Sequence, residues 1–400
     1  MNEIEAYREF SSILNSLNPY SMDLTLDRVK AFCSKIGNPQ GSFKSILIGG
    51  TNGKGSVCQY LTDCFISSGY VCGTYTSPHL ILPNERIKIN NRPVDYSTLL
   101  DYARFIQGIN FEGLTYFEFL TVLAFLVFKD FGVDVAVLEV GMGGEYDATN
   151  VVDPILSVLT SISLDHEEHL GRTIEEITLT KSKIIKKMGV VSKNDSRVLD
   201  VIKRNVKVPV YFVDDEYLEK AQSLNVKNAV SLNNVAVTLL AIDTLKGKYG
   251  FNLDYSAIRK SFWPGRFEVF NMNDKTVILD GAHNVEGLSN LKGLLEKRGI
   301  FDNDSVLVFS SLTTKRWKEG LKQVMGGFKC ICPVGVKNRL GVNPYEIKDF
   351  LENKNFNGEI KVCENVNDAL NQLLTSDFKN IIIAGSLYLV GEALACHLVE

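Results

Sequence analysis

The run Ile46-Leu47-Ile48-Gly49-Gly50-Thr51-Asn52-Gly53-Lys54-Gly55-Ser56 carries the sharpest chemical signal in the chain. Apolar residues lead into a cluster of glycines, one lysine and a hydroxyl residue. Backbone N–H groups of such a turn can close around phosphate oxygens, and a helix N-terminus adds partial positive charge. Thr51, Asn52, Gly53, Lys54, Gly55 and Ser56 are therefore candidate nucleotide-binding residues. Lys54 would neutralise β/γ charge, and Ser56 would hold Mg²⁺ through its hydroxyl. The spacing departs from G-x-x-x-x-G-K-[ST]: Gly49 is one residue too close, and Gly55 intervenes before Ser56. Strand, lysine, hydroxyl and helix together favour a nucleotide over an ordinary Gly-rich turn.

Val133-Asp-Val-Ala-Val-Leu-Glu139 is an apolar run closed by a carboxylate, with Gly141-Met-Gly143-Gly144 directly after it. Mg²⁺ takes hard oxygen ligands, so Glu139 is a candidate metal ligand; the alternative is a carboxylate paired with a surface base. Ser161-Ile-Ser-Leu-Asp165-His166-Glu-Glu-His169 follows another apolar run, and His166 is the better placed of its two histidines. No third nitrogen or sulfur ligand lies near in sequence, which disfavours zinc. Lys181 falls on the apolar stripe of Ile174, Ile177, Ile184, Ile185 and Met188. A buried amine tends to lose its proton. A neutral amine can take up CO₂ as a carbamate, whose negative charge would suit a second Mg²⁺. The pattern alone favours a lysine that snorkels to the surface.

Val277-Ile-Leu-Asp280-Gly-Ala-His283-Asn284 closes a further strand-like run. Asp280 could contact a ribose or purine, or cap the following helix. His283 could face the reaction. Arg266 stands in Trp263-Pro264-Gly265-Arg266, a boundary punctuated by Pro and Gly.

These residues need a scaffold that gathers strand ends. Apolar runs at 45–50, 71–76, 133–140, 155–163 and 208–213 alternate with helix patterns at 56–68, 117–131, 173–188 and 232–246. That alternation predicts a parallel sheet covered on both faces. Beyond the boundary, strand-like runs at 277–280, 306–309, 330–334, 360–363 and 381–384 precede a helix at 388–398. They predict a second, smaller α/β domain, whose ligands would sit at the carboxyl ends of its strands. The expected domains are residues 1–264 and 265–400.

Composition bounds the function. The 400 residues are 45% apolar and 22% charged, which excludes a disordered chain, a coiled coil and a fibre. Lys+Arg 43 against Asp+Glu 47 gives a net charge of -4, which argues against a nucleic-acid binder working through phosphates. The longest apolar run, 119–128, falls short of the ~20 residues of a membrane span. Met1-Asn2-Glu3-Ile4-Glu5 lacks the basic start and apolar core of an export signal. Eight scattered cysteines, with only Cys330 and Cys332 close in sequence, fit reduced thiols in a cytoplasmic enzyme. No coiled-coil pattern appears, and a monomer is expected.

Taken in order, these motifs resemble the folylpolyglutamate synthase/dihydrofolate synthase family of the Mur ligase superfamily. The likeness starts at Asp23 and runs nearly to the C-terminus. It includes Gly37-Asn-Pro-Gln40, Gly50–Ser56, Ser77-Pro-His-Leu80, Glu85-Arg-Ile87, Thr115-Tyr-Phe-Glu118, Glu139–Gly144, Asp147-Ala-Thr-Asn150 and Leu164-Asp-His166. Pro264-Gly-Arg-Phe267, Asp280–Asn284 and Gly385-Ser-Leu-Tyr-Leu-Val-Gly-Glu392 complete it. The resemblance implies an α/β fold of two domains: a P-loop nucleotide-binding, Mur-ligase-like central domain and a smaller Rossmann-like C-terminal domain. It implies ATP contacts at Gly53–Ser56, Asn234, Arg266 and Asp280, and magnesium ligands at Ser56, Ser77, Glu139 and His166. It further implies a carbamylated Lys181, two Mg²⁺ ions, and His283 near the chemistry. The sequence departs from the family pattern at Glu145-Tyr146, Thr180-Lys-Ser-Lys-Ile184, Ser231 and Thr314-Lys315-Arg316.

The implied reaction is ATP-dependent ligation of L-glutamate to a reduced folate, or to dihydropteroate, through an acyl phosphate. No protein nucleophile is needed. Two alternatives stand beside it: a Mur-type amide ligase for a non-folate acid, and a nucleotide-binding regulator that makes no bond.

Overall fold

The computed structural model describes residues 2–17, 25–109, 113–226, 231–301 and 304–398. Asp23, where the family likeness begins, lies outside them. The chain divides into two compact units, Met1–Ser261 and Phe262–Glu400, a few residues ahead of the expected boundary.

The first unit holds eight strands: β1 (Lys44–Gly49), β2 (Cys72–Tyr75), β3 (Ile87–Ile89), β4 (Arg92–Pro93), β5 (Val135–Glu139), β6 (Leu156–Leu159), β7 (Gly189–Val191) and β8 (Val210–Phe212). Their order is β4-β3-β2-β5-β1-β6-β7-β8. The stretch from β2 to β8 is parallel, and β3 and β4 add an antiparallel edge. The two-residue period of a strand feeds two separate cores. Leu47, Ala136 and Leu138 point into one, among the side chains of the helix Tyr116–Asp130. Ile46, Ile48, Val135 and Val137 point into the other, against the helices Lys54–Ser67 and Leu232–Tyr249. Each fully buried Leu, Ile or Val contributes about 1.5–3 kcal/mol relative to exposure, so the central strands cannot slip register by one residue.

The helix Tyr116–Asp130 starts with a capping box between Thr115 and Glu118 and is apolar nearly all round, as a helix enclosed by core must be. The pattern at 173–188 is not one helix. The helix ends at Ser182, and Gly189–Val191 is a strand. The Ser157 hydroxyl takes the Ile184 carbonyl at 2.6 Å, and the Met188 carbonyl accepts from the Ser157 N–H at 3.0 Å. The chain thus leaves the helix to join the sheet. The run at 155–163 likewise stops being a strand at Leu159.

The second unit holds β9 (Glu268–Met272), β10 (Lys275–Asp280), β11 (Ser305–Phe309), β12 (Cys330–Pro333), β13 (Glu359–Ile360) and β14 (Asn380–Ala384). Their order is β13-β12-β11-β14-β10-β9, parallel except for β9. No helix among the described residues is long and apolar enough to cross a membrane.

Candidate active site

Strand β1 delivers the Gly-rich loop between the ends of two neighbours. Ile48 pairs with Glu139 of β5, and Gly49 with Leu159 of β6. Gly50 has φ +130° and Gly53 φ +90°, values that L side chains rarely adopt. A Cβ on Gly50 would lie 1.9 Å from Thr160 Oγ1, and one on Gly53 2.2 Å from Asn234 Oδ1. Asn234 is thereby packed directly on the loop. The loop is also stitched to the segment after β6. Thr160 donates its hydroxyl to the Gly49 carbonyl at 3.1 Å, and the Thr51 N–H donates to the Ser161 carbonyl at 2.6 Å. Thr51 Oγ1 donates to the Ser163 carbonyl and accepts from the Ser163 N–H, at 3.2 and 3.1 Å. Asn52 bridges Ser161.

The helix Lys54–Ser67 starts from Gly53, and Ser56 is buried in its first turn. Lys54 Nζ donates to the carbonyls of Gly50 and Thr51, at 3.3 and 3.2 Å. Lys181 does not snorkel. It is 4% exposed, and its Nζ donates to the same Gly50 carbonyl at 2.9 Å.

Glu139 ends β5, is buried, and accepts from the Ser77 N–H at 3.0 Å. Burial, then the Glu139 carboxylate, push the Cys58 thiol well up, against an opposing pull from Lys54. His166 lies in the loop beyond β6, with φ +53°. It is about two-fifths exposed, with Nε2 3.9 Å from Asp165 Oδ2.

His79, Arg86 and Asp147 stand in the family-like motifs but carry no role legible in the sequence alone. Arg86 Nε donates to His79 Nδ1 at 2.9 Å, and its guanidinium stands 5.5 Å over the Tyr116 ring. Burial and then the Arg86 charge push His79 down to about 3, so the imidazole is neutral and accepts at Nδ1. Glu85 accepts from the N–H groups of Leu80, Ile81 and Leu82, fixing the loop after Ser77. Asp147 accepts from the Met142 and Thr149 amides, while burial raises its carboxyl above the usual range. Thr160 carries no pattern that could have marked it.

In the second unit, Asp280 ends β10 and is buried. Its carboxylate accepts from the N–H groups of Phe267 and Ala282, at 2.9 and 2.8 Å. Burial raises it, and Arg266 acts against that rise. Asp280 is not the helix cap: Asn284 caps the helix Val285–Lys297, accepting from the Gly287 N–H at 2.8 Å. His283 Nδ1 donates to the Gly281 carbonyl at 2.8 Å. A Cβ on Gly281 would lie 3.2 Å from an Arg266 guanidinium nitrogen.

Among the described residues no three His, Cys, Asp or Glu side chains gather to hold a metal ion by themselves. Mg²⁺ at a nucleotide keeps waters and phosphate oxygens as most of its ligands. The hydroxyl of Ser56 and the carboxylate of Glu139, both hard oxygen donors beside the loop, fit that need.

A parallel α/β sheet whose first strand ends in a Gly-Lys-Gly-Ser loop defines a nucleotide-using protein. Residues 48–239 match the Mur ligase middle domain, and residues 266–396 match the dihydrofolate synthetase C-terminal domain. A dihydrofolate synthetase of Saccharomyces cerevisiae is 30% identical over 94% of this chain and 98% of its own length. A dihydrofolate synthase/folylpolyglutamate synthase of Bacillus subtilis is 31% identical over 80% of this chain and 83% of its own. The crystal structure of a bifunctional folylpolyglutamate synthase/dihydrofolate synthase from Yersinia pestis, complexed with AMPPNP and Mn ion, matches with a TM-score of 0.85. It is 26% identical, and 98% of each chain is covered. The chain belongs to the dihydrofolate synthase/folylpolyglutamate synthase family of ATP-dependent ligases.

Proposed function

We propose that the protein joins L-glutamate to folates at the expense of ATP, through an acyl phosphate, and that it also accepts dihydropteroate. The observation that carries this reading is the convergence of Lys54 and Lys181 on the Gly50 carbonyl, with Glu139 closing the adjacent strand. The match of residues 266–396 to the dihydrofolate synthetase C-terminal domain supports dihydropteroate as an acceptor.

In this reading Thr51, Asn52, Gly53, Gly55 and Ser56 surround the phosphates, and Lys54 turns from peptide carbonyls to the β/γ oxygens. Asn234, Arg266 and Asp280 hold the rest of the nucleotide. Ser56, Ser77, Glu139 and His166 would hold two Mg²⁺ ions, which when bound supply positive charge against the phosphoryl oxygens. The Lys181 amine takes up CO₂, releases a proton and becomes a carbamate. A carboxylate cannot acylate an amine directly, because oxide is a poor leaving group. The γ-phosphoryl therefore passes to the acceptor's carboxylate and ADP leaves. The α-amine of glutamate attacks the acyl carbon, phosphate departs, and the amide forms with loss of a proton. His283 lies beside this step.

The test is phosphate release dependent on ATP and Mg²⁺, with mass spectrometry of the product. Glutamate is supplied with tetrahydrofolate in one mixture and with dihydropteroate in the other. A gain of one glutamyl residue on either acid supports the ligase and shows which acceptor it uses. Nucleotide binding without product on either acid overturns the assignment of acceptor.

A further inference from the structure

The reaction leaves unused a polar cluster on one face of the helix Lys54–Ser67. Gln59, Asp63 and Ser67 recur every four residues and share that face. Asp63 Oδ1 accepts from Gln59 Nε2 at 2.8 Å and from Asn91 Nδ2 at 2.5 Å. Gln59 also donates to Asn91 Oδ1 at 3.1 Å. Asn91 belongs to the turn between β3 and β4, where Asn90 and Asn91 both take positive φ. Asp63 Oδ2 accepts a short hydrogen bond from the Ser261 hydroxyl. At the other end of the helix, Ser68 Oγ accepts from the Asp254 N–H at 2.8 Å. Ser67 Oγ donates to the Asp254 carbonyl at 3.5 Å.

Segment 254–261 is therefore a strap laid along the helix that begins with Lys54. It is pinned by Ser67 and Ser68 at its start and by Asp63 at its end, with Ile258 fully buried between. Ser261 is the last residue of the first unit. Phe262-Trp263-Pro264-Gly265-Arg266 follows directly.

We propose that Asp63 is a positioning residue for the ligase reaction, holding Ser261 so that the chain leaves the first unit from a fixed point on the phosphate-loop helix. The proposal rests on the reading above, in which Lys54 and Arg266 serve one nucleotide. Bringing tethered residues to a bound ligand is an intramolecular association, and its effective concentration falls as slack is added to the tether. With the Asp63–Ser261 bond in place the connection to the second unit starts at Phe262. Without it, slack extends back toward Ile258.

The test uses Ser261→Ala, Asp63→Asn and, as the conservative control, Ser261→Thr. Ser261 has extended backbone, φ -61° and ψ 136°, which a threonine accepts. Amide exchange across 259–266 is followed in the full chain with AMPPNP and Mg²⁺, together with AMPPNP affinity and kcat. The expected result for the Ala and Asn variants is roughly tenfold faster exchange and a similar fall in kcat. AMPPNP affinity falls by less than kcat, because the phosphate-loop contacts are kept, and Ser261→Thr behaves as wild type. Unchanged exchange and kcat overturn the proposal. So does a loss of AMPPNP affinity parallel to kcat, which would place the effect in the phosphate loop. If the wild type makes no product on any acid, the proposed function fails, and the exchange difference alone then decides the anchor.

Discussion

Lys54 and Lys181, from two different helices, end on one oxygen: their Nζ atoms lie 3.3 and 2.9 Å from the Gly50 carbonyl. Two ammonium groups so placed are at most about 6 Å apart. At an effective dielectric near 20 they would repel by roughly 3 kcal/mol. An anion between them, whether phosphate or a carbamate on one of them, converts that repulsion into attraction. The site is thus arranged for negative charge.

Lys54→Ala removes one of the two cations without touching the sheet. Phosphate release dependent on acid and amine should fall by roughly 10²–10³-fold. Retained turnover in a steady-state phosphate assay would remove Lys54 from the chemistry.

Lys181→Ala tests the carbamate separately. Activity should drop and recover in part with added acetate or propionate, which can occupy the vacated space as a carboxylate. Wild-type protein in ¹³C-bicarbonate should show a carbamate resonance that the variant lacks. Full activity of the variant without rescue would dispose of the idea.

Gly53→Ala meets two obstacles, the positive φ and the Asn234 amide 2.2 Å from the new Cβ. A loss of about 1–3 kcal/mol in stability is expected from the backbone conformation, with AMPPNP affinity reduced roughly 10²-fold. Adding Asn234→Ala relieves the collision but not the φ, so stability should recover in part, while AMPPNP affinity, which also loses the Asn234 contact, should not. Calorimetric titration of the single and double variants checks both expectations.

His79 supplies a pH signature. Its pKa falls from 6.5 to about 3 in the fold, through burial first and Arg86 second. The unfolded chain therefore binds more protons than the folded one between these values. Stability from this site is fully present above about pH 6.5 and is lost as pH falls toward 3, by at most about 1.4 kcal/mol per pH unit. His79→Gln keeps an acceptor for Arg86 and should flatten that acid limb in denaturant titrations. An unchanged slope would show that other groups govern it.

Much of this was legible because parallel strands write themselves as short apolar runs. The runs ending at Gly49, Glu139 and Asp280 became β1, β5 and β10, and the sheet brings the first two side by side. Lys181 was legible as a break in an apolar stripe, but the pattern favoured a lysine that snorkels to the surface, and the fold buries it. The Gly50 carbonyl, presented by another element, accepts from the Lys181 amine in the fold. The end of that helix at Ser182 was hidden, because the Ser157 hydroxyl that takes the Ile184 carbonyl is 27 residues away. Thr160, beneath Gly50, and the Asp63–Ser261 bond were hidden for the same reason. Nor did cysteine spacing disclose that Cys332 and Cys363 lie with their sulfurs 3.3 Å apart, since Cys363 comes from the segment beyond β13 that runs beside the end of β12. The N-terminal helix Glu3–Ser16 did carry a readable signal, the box formed by Asn2 and Glu5.

The reciprocal bonds between Thr51 and Ser163 bear on how a nucleotide arrives. Fixing a flexible residue costs about 1–2 kcal/mol of entropy. For the loop around Thr51 that ordering is supplied by the protein's own hydrogen bonds. Nucleotide capture should then proceed as docking onto a finished surface, without a slow rearrangement phase in stopped-flow traces. Its rate would be limited by diffusion and orientation, and its calorimetric entropy would lack the penalty that marks a loop folding around its ligand.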